Sequence, residues 1–264
     1  MTFWSDCDKK NNEHQERTCS WIMRDEGFLR WYYEDSLLNQ VVWYNAFPGS
    51  GKTFLSAMVA RHPEENEGRQ VVYFRFDYND NERSSILSAL RSIALRLLEI
   101  GTAIHDEIPD QVRQLYYEGS KRHSELLSDS RMAIKGVKAF LNYIARVHII
   151  VDGLDEFQGK DDECLDIFSG LLCYSATGIT KWFSTSRRET PIQRAMHNVK
   201  VIDIHPSKQQ VERDIAIYLE ARKNEIKIQR CDECVARITA KSDANFLYSA
   251  LIFCILCDDS GMCD

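Results

Sequence analysis

The 264-residue sequence lacks the features that mark exported, membrane-spanning or broadly basic proteins. Its polar first 17 residues contain no apolar core of the kind found in secretory signals. Its longest apolar run, residues 246–256, falls well short of the roughly 20 residues that span a bilayer. The net charge is -7 and the basic residues are scattered among acidic ones, so no broad surface for nucleic acid is expected. We therefore expect a cytoplasmic protein that binds neither nucleic acid nor membrane.

A disulfide framework is also missing, although the chain contains nine cysteines. An odd number of cysteines, scattered along a chain without an export signal, favours reduced thiols. Two Cys-x-x-Cys pairs, Cys231 with Cys234 and Cys254 with Cys257, have a spacing close to that of zinc sites. The flanking segments read as apolar helices without the glycines of tight zinc turns. We therefore expect no zinc, and four buried thiols that act as small hydrophobes.

Apolar runs and helical repeats alternate along most of the chain, which contains no internal repeat of the solenoid kind. Five short apolar runs predict strands at residues 41–44, 71–76, 147–151, 181–184 and 199–204. Helical spacing predicts helices at residues 53–61, 83–99 and 132–145, and again after residue 206. Five strands with helices between them imply an α/β fold, an open parallel sheet covered on both sides.

Two segments limit the predicted helices. The helix that begins at Thr53 is expected to stop by Pro63, because proline removes a helical hydrogen bond. Residues 101–131 are polar and read as an insertion around a weak helix, whose role the sequence does not determine.

The stretch YNAFPGSGKTF, residues 44–54, joins the first predicted strand to the helix after it and has the composition of a phosphate-binding loop. Backbone amides reach nucleotide phosphates only where side chains do not intervene, which explains Gly49 and Gly51. Lys52 is expected to lie between the β and γ phosphates, and Thr53 to offer its hydroxyl to Mg²⁺. The predicted nucleotide-binding residues are Ala46, Pro48, Gly49, Ser50, Gly51, Lys52 and Thr53. The alternative is a glycine-rich turn that merely joins strand to helix.

Alanine holds position 46, where the usual pattern asks for glycine. Glycine is needed only where φ is positive, so alanine is acceptable if the backbone there stays in an ordinary region.

Acidic residues follow another predicted strand in HIIVDGLDEF, residues 148–157. Such acids should lie at the carboxyl end of a strand that neighbours the phosphate loop. Asp152 is then placed to bind Mg²⁺, and Asp155 and Glu156 follow the Gly153 turn and could polarise the nucleophilic water. Taken alone, the same acids could equally form a solvated loop.

The stretch FSTSRRE, residues 183–189, combines hydroxyl side chains with two arginines at the end of a further strand. We expect Arg187 to sense the γ phosphate and Arg188 to point outward or toward a neighbour. A salt bridge from Arg187 to Glu189 or to the helices is the alternative. His148 and Trp43 are interpreted as core residues, the histidine with its hydrogen bonds satisfied.

These motifs resemble the NACHT group of STAND-class P-loop NTPases, and most of all the fungal proteins with a nephrocystin-like N-terminal domain. The resemblance is carried by TCSW at 18–21, PGSGKT at 48–53, VVYFRFD at 71–77, DGLDE at 152–156, STSRRE at 184–189 and SDANFLYSALI at 242–252. It implies a three-layer P-loop NTPase fold with a five-stranded parallel sheet in the order 5-1-4-3-2. Residues 1–17 are then a polar tail, 18–206 a NACHT-type nucleotide-binding domain and 207–264 a partial helical subdomain.

The resemblance also implies a function. Family members are nucleotide-gated switches that exchange ADP for ATP with Mg²⁺, form homo-oligomers on activation and hydrolyse ATP slowly. An arginine supplied by a partner is worth about 10³ to 10⁵ in rate, so a site without one is slow. Fungal NLR-like relatives act in heterokaryon incompatibility and innate-type defence, through signalling partners that the sequence does not identify.

The sequence departs from the family pattern at Arg188, where many relatives have proline, and contains no Gly-x-Pro motif. It also ends without the winged helix and repeats of longer relatives. The alternatives to a weak ATPase are therefore a non-hydrolysing, nucleotide-stabilised interaction module and a truncated fragment. A small-molecule or nucleic-acid kinase is disfavoured, because no arginine-rich lid is visible.

Overall fold

The computed structural model of the protein describes residues 18–36, 38, 40–104, 130–158, 162–174, 176–223 and 231–259. The strands are β1 Val41–Asn45, β2 Val71–Arg75, β3 Arg146–Asp152, β4 Ile179–Ser186 and β5 Val201–Ile204. The helices before the last strand are α1 Glu26–Tyr33, α2 Lys52–Glu67, α3 Ile86–Ile104, α4 Ser130–Tyr143, α5 Asp162–Leu172 and α6 Thr190–His197. The helices after it are α7 Lys208–Arg222, α8 Cys231–Lys241 and α9 Phe246–Asp259. Short 3-10 segments lie at Ser20–Arg24 and Leu154–Glu156.

The five strands form one parallel sheet in the order β2-β3-β4-β1-β5. Read from β5 to β2, this is the predicted order 5-1-4-3-2, so the fold prediction is confirmed. Strand β1 is buried along its whole length, and β3 is buried from its second residue onward. Strands buried on both faces need helices on both sides of the sheet. Because the strands are parallel, their carboxyl ends share one edge of the sheet, which we call the carboxyl edge.

Two separate cores cover the faces of the sheet. One face is covered by α3 to α6, whose buried residues include Leu90, Val137, Phe168 and Ile192. The other face is covered by α1 and α2, whose buried residues include Phe28, Trp31, Leu55 and Val59. Helices α7, α8 and α9 form a third core of their own, built from Ile215, Leu219, Val235, Ile238 and Phe253.

Helix α2 runs to Glu67, and the expectation that it stops by Pro63 is wrong. A proline inside a helix costs about 3 kcal/mol, because a hydrogen bond is lost and the ring crowds the preceding turn. Leu55 and Val59 are both buried against the sheet. Burial of each such side chain contributes roughly 1.5–3 kcal/mol and holds the part of the helix before Pro63 on the sheet.

Two further predictions concern regions that the structure covers in part. The polar tail, residues 1–17, lies outside the described residues, and so does most of the predicted insertion, residues 101–131. The first residues of the insertion continue α3, and its last residues begin α4. In the parts of the chain that are described, no helix combines the length and apolar character needed to cross a bilayer.

His148 lies in the middle of β3 and is completely buried. The centre of the His148 imidazole lies 5.6 Å from the centre of the Trp31 ring and 5.8 Å from the centre of the Tyr32 ring. The core position of His148 is confirmed, but neither ring nitrogen has a hydrogen-bond partner among the residues that the structure describes, which contradicts the expected satisfied histidine. Burial lowers the pKa of His148 to about 3, and nearby positive charges add to this effect, namely Arg69, Arg146 and Lys181. The folded protein therefore holds a neutral imidazole.

Acidification should destabilise the fold through His148. In the unfolded chain this histidine takes up a proton near pH 6.5, whereas the folded chain does not do so until about pH 3. The stabilisation is therefore complete above pH 6.5 and is lost progressively as the pH falls toward 3. At pH 5 the loss should be about 2 kcal/mol. Urea unfolding at pH 7.5 and pH 5 should show this loss in the wild type and a much smaller one in His148→Phe.

The exposed His205 provides a control, because His205→Phe should leave the pH dependence of stability as it is in the wild type. Equal acid sensitivity in His148→Phe and in the wild type would contradict the assignment to His148.

Candidate functional site

The loop from Ala46 to Gly51 connects the carboxyl end of β1 to the first turn of α2. Gly49 has φ +73° and Gly51 has φ +86°, a region that residues with a side chain rarely adopt. Ala46 lies outside this region, and its amide donates to the Ser186 carbonyl at 3.1 Å, which extends the pairing of β1 with β4. Alanine is therefore acceptable at position 46, as predicted, and the two glycines are required by the backbone.

Lys52 is the first residue of α2, and its side chain turns back over the loop. Its Nζ donates to the carbonyl oxygens of Ala46 and Phe47, each at 3.1 Å. Burial lowers the pKa of Lys52, and the positive charge of Arg187 lowers it further. The nearby carboxylates of Asp155, Asp152 and Glu156 act in the opposite direction and raise this pKa. The charge of Lys52 thus lies within the electrostatic reach of the acids that end β3.

Asp152 ends β3 at the carboxyl edge, and only 1 % of it is exposed. The Thr185 hydroxyl donates to its Oδ1 at 2.6 Å, and the amide of Gly153 donates to the Thr185 oxygen at 2.9 Å. The Tyr73 hydroxyl lies at 3.5 Å from Oδ2, and the Arg75 Nε at 3.9 Å from the same oxygen. Neighbouring strands therefore satisfy a carboxylate that would otherwise be costly to bury.

Asp155 and Glu156 are adjacent in the chain but have different surroundings. The Asp155 side chain is 2 % exposed, and Arg187 donates to it twice, from its amide at 2.9 Å and from Nε at 3.0 Å. Glu156 is half-buried, and burial raises the pKa of its carboxyl, against the opposing charge of Arg75. Asp155 therefore holds Arg187, and Glu156 is the acid of the pair with a raised proton affinity.

The two arginines after β4 point to different partners. Arg187 pairs with Asp155 rather than with Glu189, so the alternative of a salt bridge to that glutamate is wrong. Arg188 lies 2.5 Å from Asp203 and over the Trp43 ring, 5.6 Å from its centre, and half of its side chain is exposed, in line with the expectation that it points outward or toward a neighbour. The attraction of a guanidinium to an aromatic face and a carboxylate explains this position.

Helix α9 begins directly against the phosphate loop, a contact that the sequence analysis missed. The amides of Phe246 and Leu247 donate to the Gly49 carbonyl at 2.6 and 3.2 Å. Asn245 accepts from the Tyr248 amide at 3.0 Å, which is a helix cap, and its Cγ lies 2.9 Å from the point where a Gly49 side chain would begin. An asparagine before an apolar helical run signals a helix start, but not what the helix touches.

The structure brings most of the predicted site residues to the carboxyl edge. Asp152, Asp155, Glu156 and Arg187 all lie within electrostatic reach of Lys52, and Thr53 lies in the first turn of α2 beside Lys52. The residues that the sequence analysis did not assign a role are Thr185, Tyr73, Arg75 and Asn245. Thr185 belongs to the hydroxyl cluster noted in FSTSRRE, which is the signal that could have identified it.

The cysteine prediction is partly wrong. The pairs do lie on helices α8 and α9, as expected, but Cys254 is exposed and Cys234 is half-buried. Helix α9 is apolar around most of its circumference. One side of it is nevertheless exposed to solvent, and Cys254 lies on that side.

The fold is therefore an α/β parallel sheet with charged and hydroxyl residues gathered at one edge. The family described as Nephrocystin 3, N-terminal matches residues 17–187, which is more than half of the chain. The chain belongs to this family. The matched span begins before the 3-10 segment Ser20–Arg24 and ends at Arg187, so α7 to α9 lie beyond it. No curated protein matches the chain.

The contact between the phosphate loop and α9 predicts unequal effects at the two loop glycines. In Gly51→Ala the new side chain meets no atom of a described residue within 4 Å, so the variant should cost only the positive φ, about 1–2 kcal/mol. Gly49→Ala carries the same cost and also displaces the Asn245 side chain, which adds about 1 kcal/mol for the lost cap. Urea unfolding without nucleotide should show the larger loss for Gly49→Ala.

In an Asn245→Ala background the difference between the two glycine variants should disappear, because the cap is already absent. Equal losses at both glycines in the wild-type background would show that Asn245 does not restrict Gly49.

Proposed function

We propose that the protein is an ATP- and ADP-binding, signal-transducing NTPase module of the NACHT type that acts as a slowly hydrolysing switch. The observation that carries the proposal is the convergence at one edge of the sheet. A loop with two positive-φ glycines and Lys52 faces Asp152, Asp155 and Glu156 from a nearby strand. Phosphate binding and water activation require these two halves together.

The residues of the loop fit a phosphate chain. The amides of Gly49, Ser50, Gly51 and Lys52 would hold the phosphate oxygens, together with the Lys52 ammonium and the flanking residues Ala46, Pro48 and Thr53. The Ser50 hydroxyl is buried and has no hydrogen-bond partner within the described part of the chain, so it is available to a ligand in the loop. Lys52 is occupied by two carbonyl oxygens of its own loop, and a phosphate would offer it a stronger, charged acceptor.

The Thr53 hydroxyl and the Asp152 carboxylate are the oxygen ligands that would hold Mg²⁺. When bound, the metal neutralises charge on the phosphates. Thr185 holds the Asp152 carboxyl group in place at the carboxyl edge, because its hydroxyl donates to Oδ1. This protein's own residues therefore supply a fixed, negatively charged ligand beside the phosphate loop.

Glu156 is the residue best suited to polarise the nucleophilic water. Its raised pKa makes it a better base than a fully exposed glutamate, whereas both oxygens of Asp155 accept hydrogen bonds from Arg187. Asp155 would then act by holding Arg187 at the γ phosphate. Because Arg187 is paired with Asp155, it is less able to stabilise charge on the γ phosphate, which agrees with slow hydrolysis. Faster hydrolysis would then require the proposed homo-oligomer.

The first test of the proposal is the loss of Lys52. Lys52→Ala should weaken Mg²⁺-dependent binding of ADP and ATP by at least about 30-fold, or 2 kcal/mol, because the charged donor to the phosphates is removed. Isothermal titration calorimetry measures this directly. The control is Lys200→Ala, an exposed lysine just before β5 and thus at the opposite edge of the sheet, which should bind as the wild type does. Unaltered affinity in Lys52→Ala would refute nucleotide binding in this loop.

The second test separates hydrolysis from binding. Glu156→Gln should lower the rate of ATP hydrolysis by about 10² to 10⁴-fold, because the amide cannot accept a proton from water. The affinity for ATP should remain within a few-fold of the wild type. Phosphate release and calorimetry give the two quantities, with Glu26→Gln at the exposed start of α1 as the control.

A wild type that binds ATP and releases no phosphate under any oligomerising condition would favour the non-hydrolysing interaction module. Hydrolysis that persists in Glu156→Gln would move the role of base to another residue.

A further inference from the structure

Helix α9 begins on the phosphate loop, and a carbonyl of that loop accepts hydrogen bonds from the start of the helix. The first amides of any α-helix have no acceptor within the helix itself. In α9 the amides of Phe246 and Leu247 both donate to the Gly49 carbonyl, at 2.6 and 3.2 Å. The next amide, that of Tyr248, donates to the Asn245 side chain at 3.0 Å. The phosphate loop therefore supplies an acceptor that the start of α9 needs.

The same contact fixes the peptide unit between Gly49 and Ser50. A peptide unit is planar, so its carbonyl and its amide point in opposite directions. Because α9 holds the Gly49 carbonyl, it also sets the direction of the Ser50 amide, which the proposed function assigns to the phosphates. That amide donates to the Phe47 carbonyl at 3.3 Å, and a phosphate oxygen is a stronger, charged acceptor. One peptide unit therefore serves both α9 and the proposed phosphate site.

Side-chain packing attaches the start of α9 to two further helices. The centre of the Phe246 ring lies 6.0 Å from the centre of the Phe54 ring, in the first turn of α2. It lies 4.9 Å from the centre of the Tyr218 ring on α7. Asn245 lies so close to Gly49 that a side chain at Gly49 would clash with it. The start of α9 therefore packs on the phosphate loop, on the helix that follows the loop and on the core of α7 to α9.

The turn before α9 has an uncommon backbone conformation. Asp243 has φ +47° and Ala244 has φ +58°, a region that residues with a side chain rarely adopt. An ion pair joins Asp243 to Lys208 at 2.6 Å, but both side chains are largely exposed, and such pairs contribute little. Backbone of this kind persists only where its surroundings hold it, and it is concentrated at binding and switch regions. The turn is therefore expected to relax if α9 leaves the loop.

We propose that the contact of α9 with Gly49 couples nucleotide binding to the packing of helices α7 to α9. This inference rests on the proposed function, since it concerns the same loop. Bound nucleotide and docked α9 each stabilise one orientation of the Gly49–Ser50 peptide unit, so each should strengthen the other. Asn245 is a positioning residue in this coupling, because it caps α9 and acts on the loop through Gly49. The competing role is an ordinary helix cap, whose loss would lower stability and leave nucleotide affinity unchanged.

The experiment compares Asn245→Ala and Asn245→Ser with the wild type in two measurements. The first is the Kd of ADP with Mg²⁺, by isothermal titration calorimetry. The second is NMR hydrogen exchange of the Phe246 and Leu247 amides, with and without ADP. The matched control is Ser85→Ala, which removes the cap that Ser85 gives to the Ser88 amide at the start of α3, on the face of the sheet opposite α2.

Asn245→Ala should raise the Kd of ADP about fivefold or more, the lower end of typical coupling between sites. Asn245→Ser keeps a side-chain oxygen that caps the helix, so its Kd should return to within about twofold of the wild type. Ser85→Ala should lose a similar amount of stability, because it also removes a cap, and should bind ADP as the wild type does.

Hydrogen exchange tests the reverse direction of the coupling. In the wild type, ADP should slow exchange of the Phe246 and Leu247 amides at least about fivefold more than that of the Phe28 amide, because coupling is reciprocal. The Phe28 amide is the comparison, since it lies at the start of α1 and is capped by Asp25. This measurement needs the wild type alone, so it tests the coupling even if Asn245→Ala does not fold.

Unchanged ADP affinity in Asn245→Ala, with measurable binding by the wild type, would overturn the inference and leave the proposed function intact. Faster exchange of the Phe246 amide on addition of ADP would also overturn it, since nucleotide would then compete with α9 for the loop. A loss of affinity that Asn245→Ser does not restore would show that the asparagine contacts the nucleotide directly, which contradicts coupling through α9. A wild type that binds no ADP would overturn the proposed function and the coupling with it.

Discussion

The buried carboxylate of Asp152 is the group on which the arrangement of the carboxyl edge depends. An ionised carboxylate away from water is costly unless its oxygens accept hydrogen bonds. Its partners come from both neighbouring strands, Thr185 from β4 on one side and Tyr73 and Arg75 from β2 on the other. A shift in the register of either strand would remove these partners and leave the charge uncompensated. The requirement to satisfy one acid therefore restricts three strands together.

A second requirement joins the helices α7 to α9 to the sheet. Asp214 on α7 is buried and accepts from the Cys19 amide at 2.9 Å and from Trp21 Nε1 at 3.2 Å. Burial raises the pKa of Asp214, while these hydrogen bonds lower it, so the segment before α1 lessens the cost of burying that acid. At the other end of the helical part, the amides that begin α9 donate to Gly49. The loop 46–51 thus contacts both the sheet and α9. A change in its backbone at Gly49 would also change the hydrogen bonds that hold the start of α9.

The sequence was most informative where chemistry and local conformation coincide. Gly49 and Gly51 are needed for their φ angles, and the acids after β3 follow a strand whose continuous apolar character is visible in the sequence. The contacts between Arg75 and Asp152, or between Asn245 and Gly49, could not be predicted in this way. They join residues far apart in the chain, and each depends on the strand order or on how a helix packs. The same limit applies to Pro63, past which the helix continues, and to His148, a polar ring that lies in the core.

The different environments of the adjacent acids Asp155 and Glu156 are the best guide to the chemistry that the carboxyl edge can support. Asp155 and Glu156 follow the same turn, yet one is sequestered by an arginine and the other is raised in proton affinity by burial. Placing two carboxyl groups in different environments is one way in which proteins obtain a fixed charge and a base from the same type of side chain. The sequence DGLDE presents the two acids as equivalent, and their difference arises from geometry alone. Gly153 turns the chain so that Asp155 pairs with Arg187 after β4, while the Glu156 side chain lies beside Gly153 itself. The difference between the two environments therefore depends on the turn at Gly153 and on the position of β4 beside β3, which brings Arg187 to Asp155.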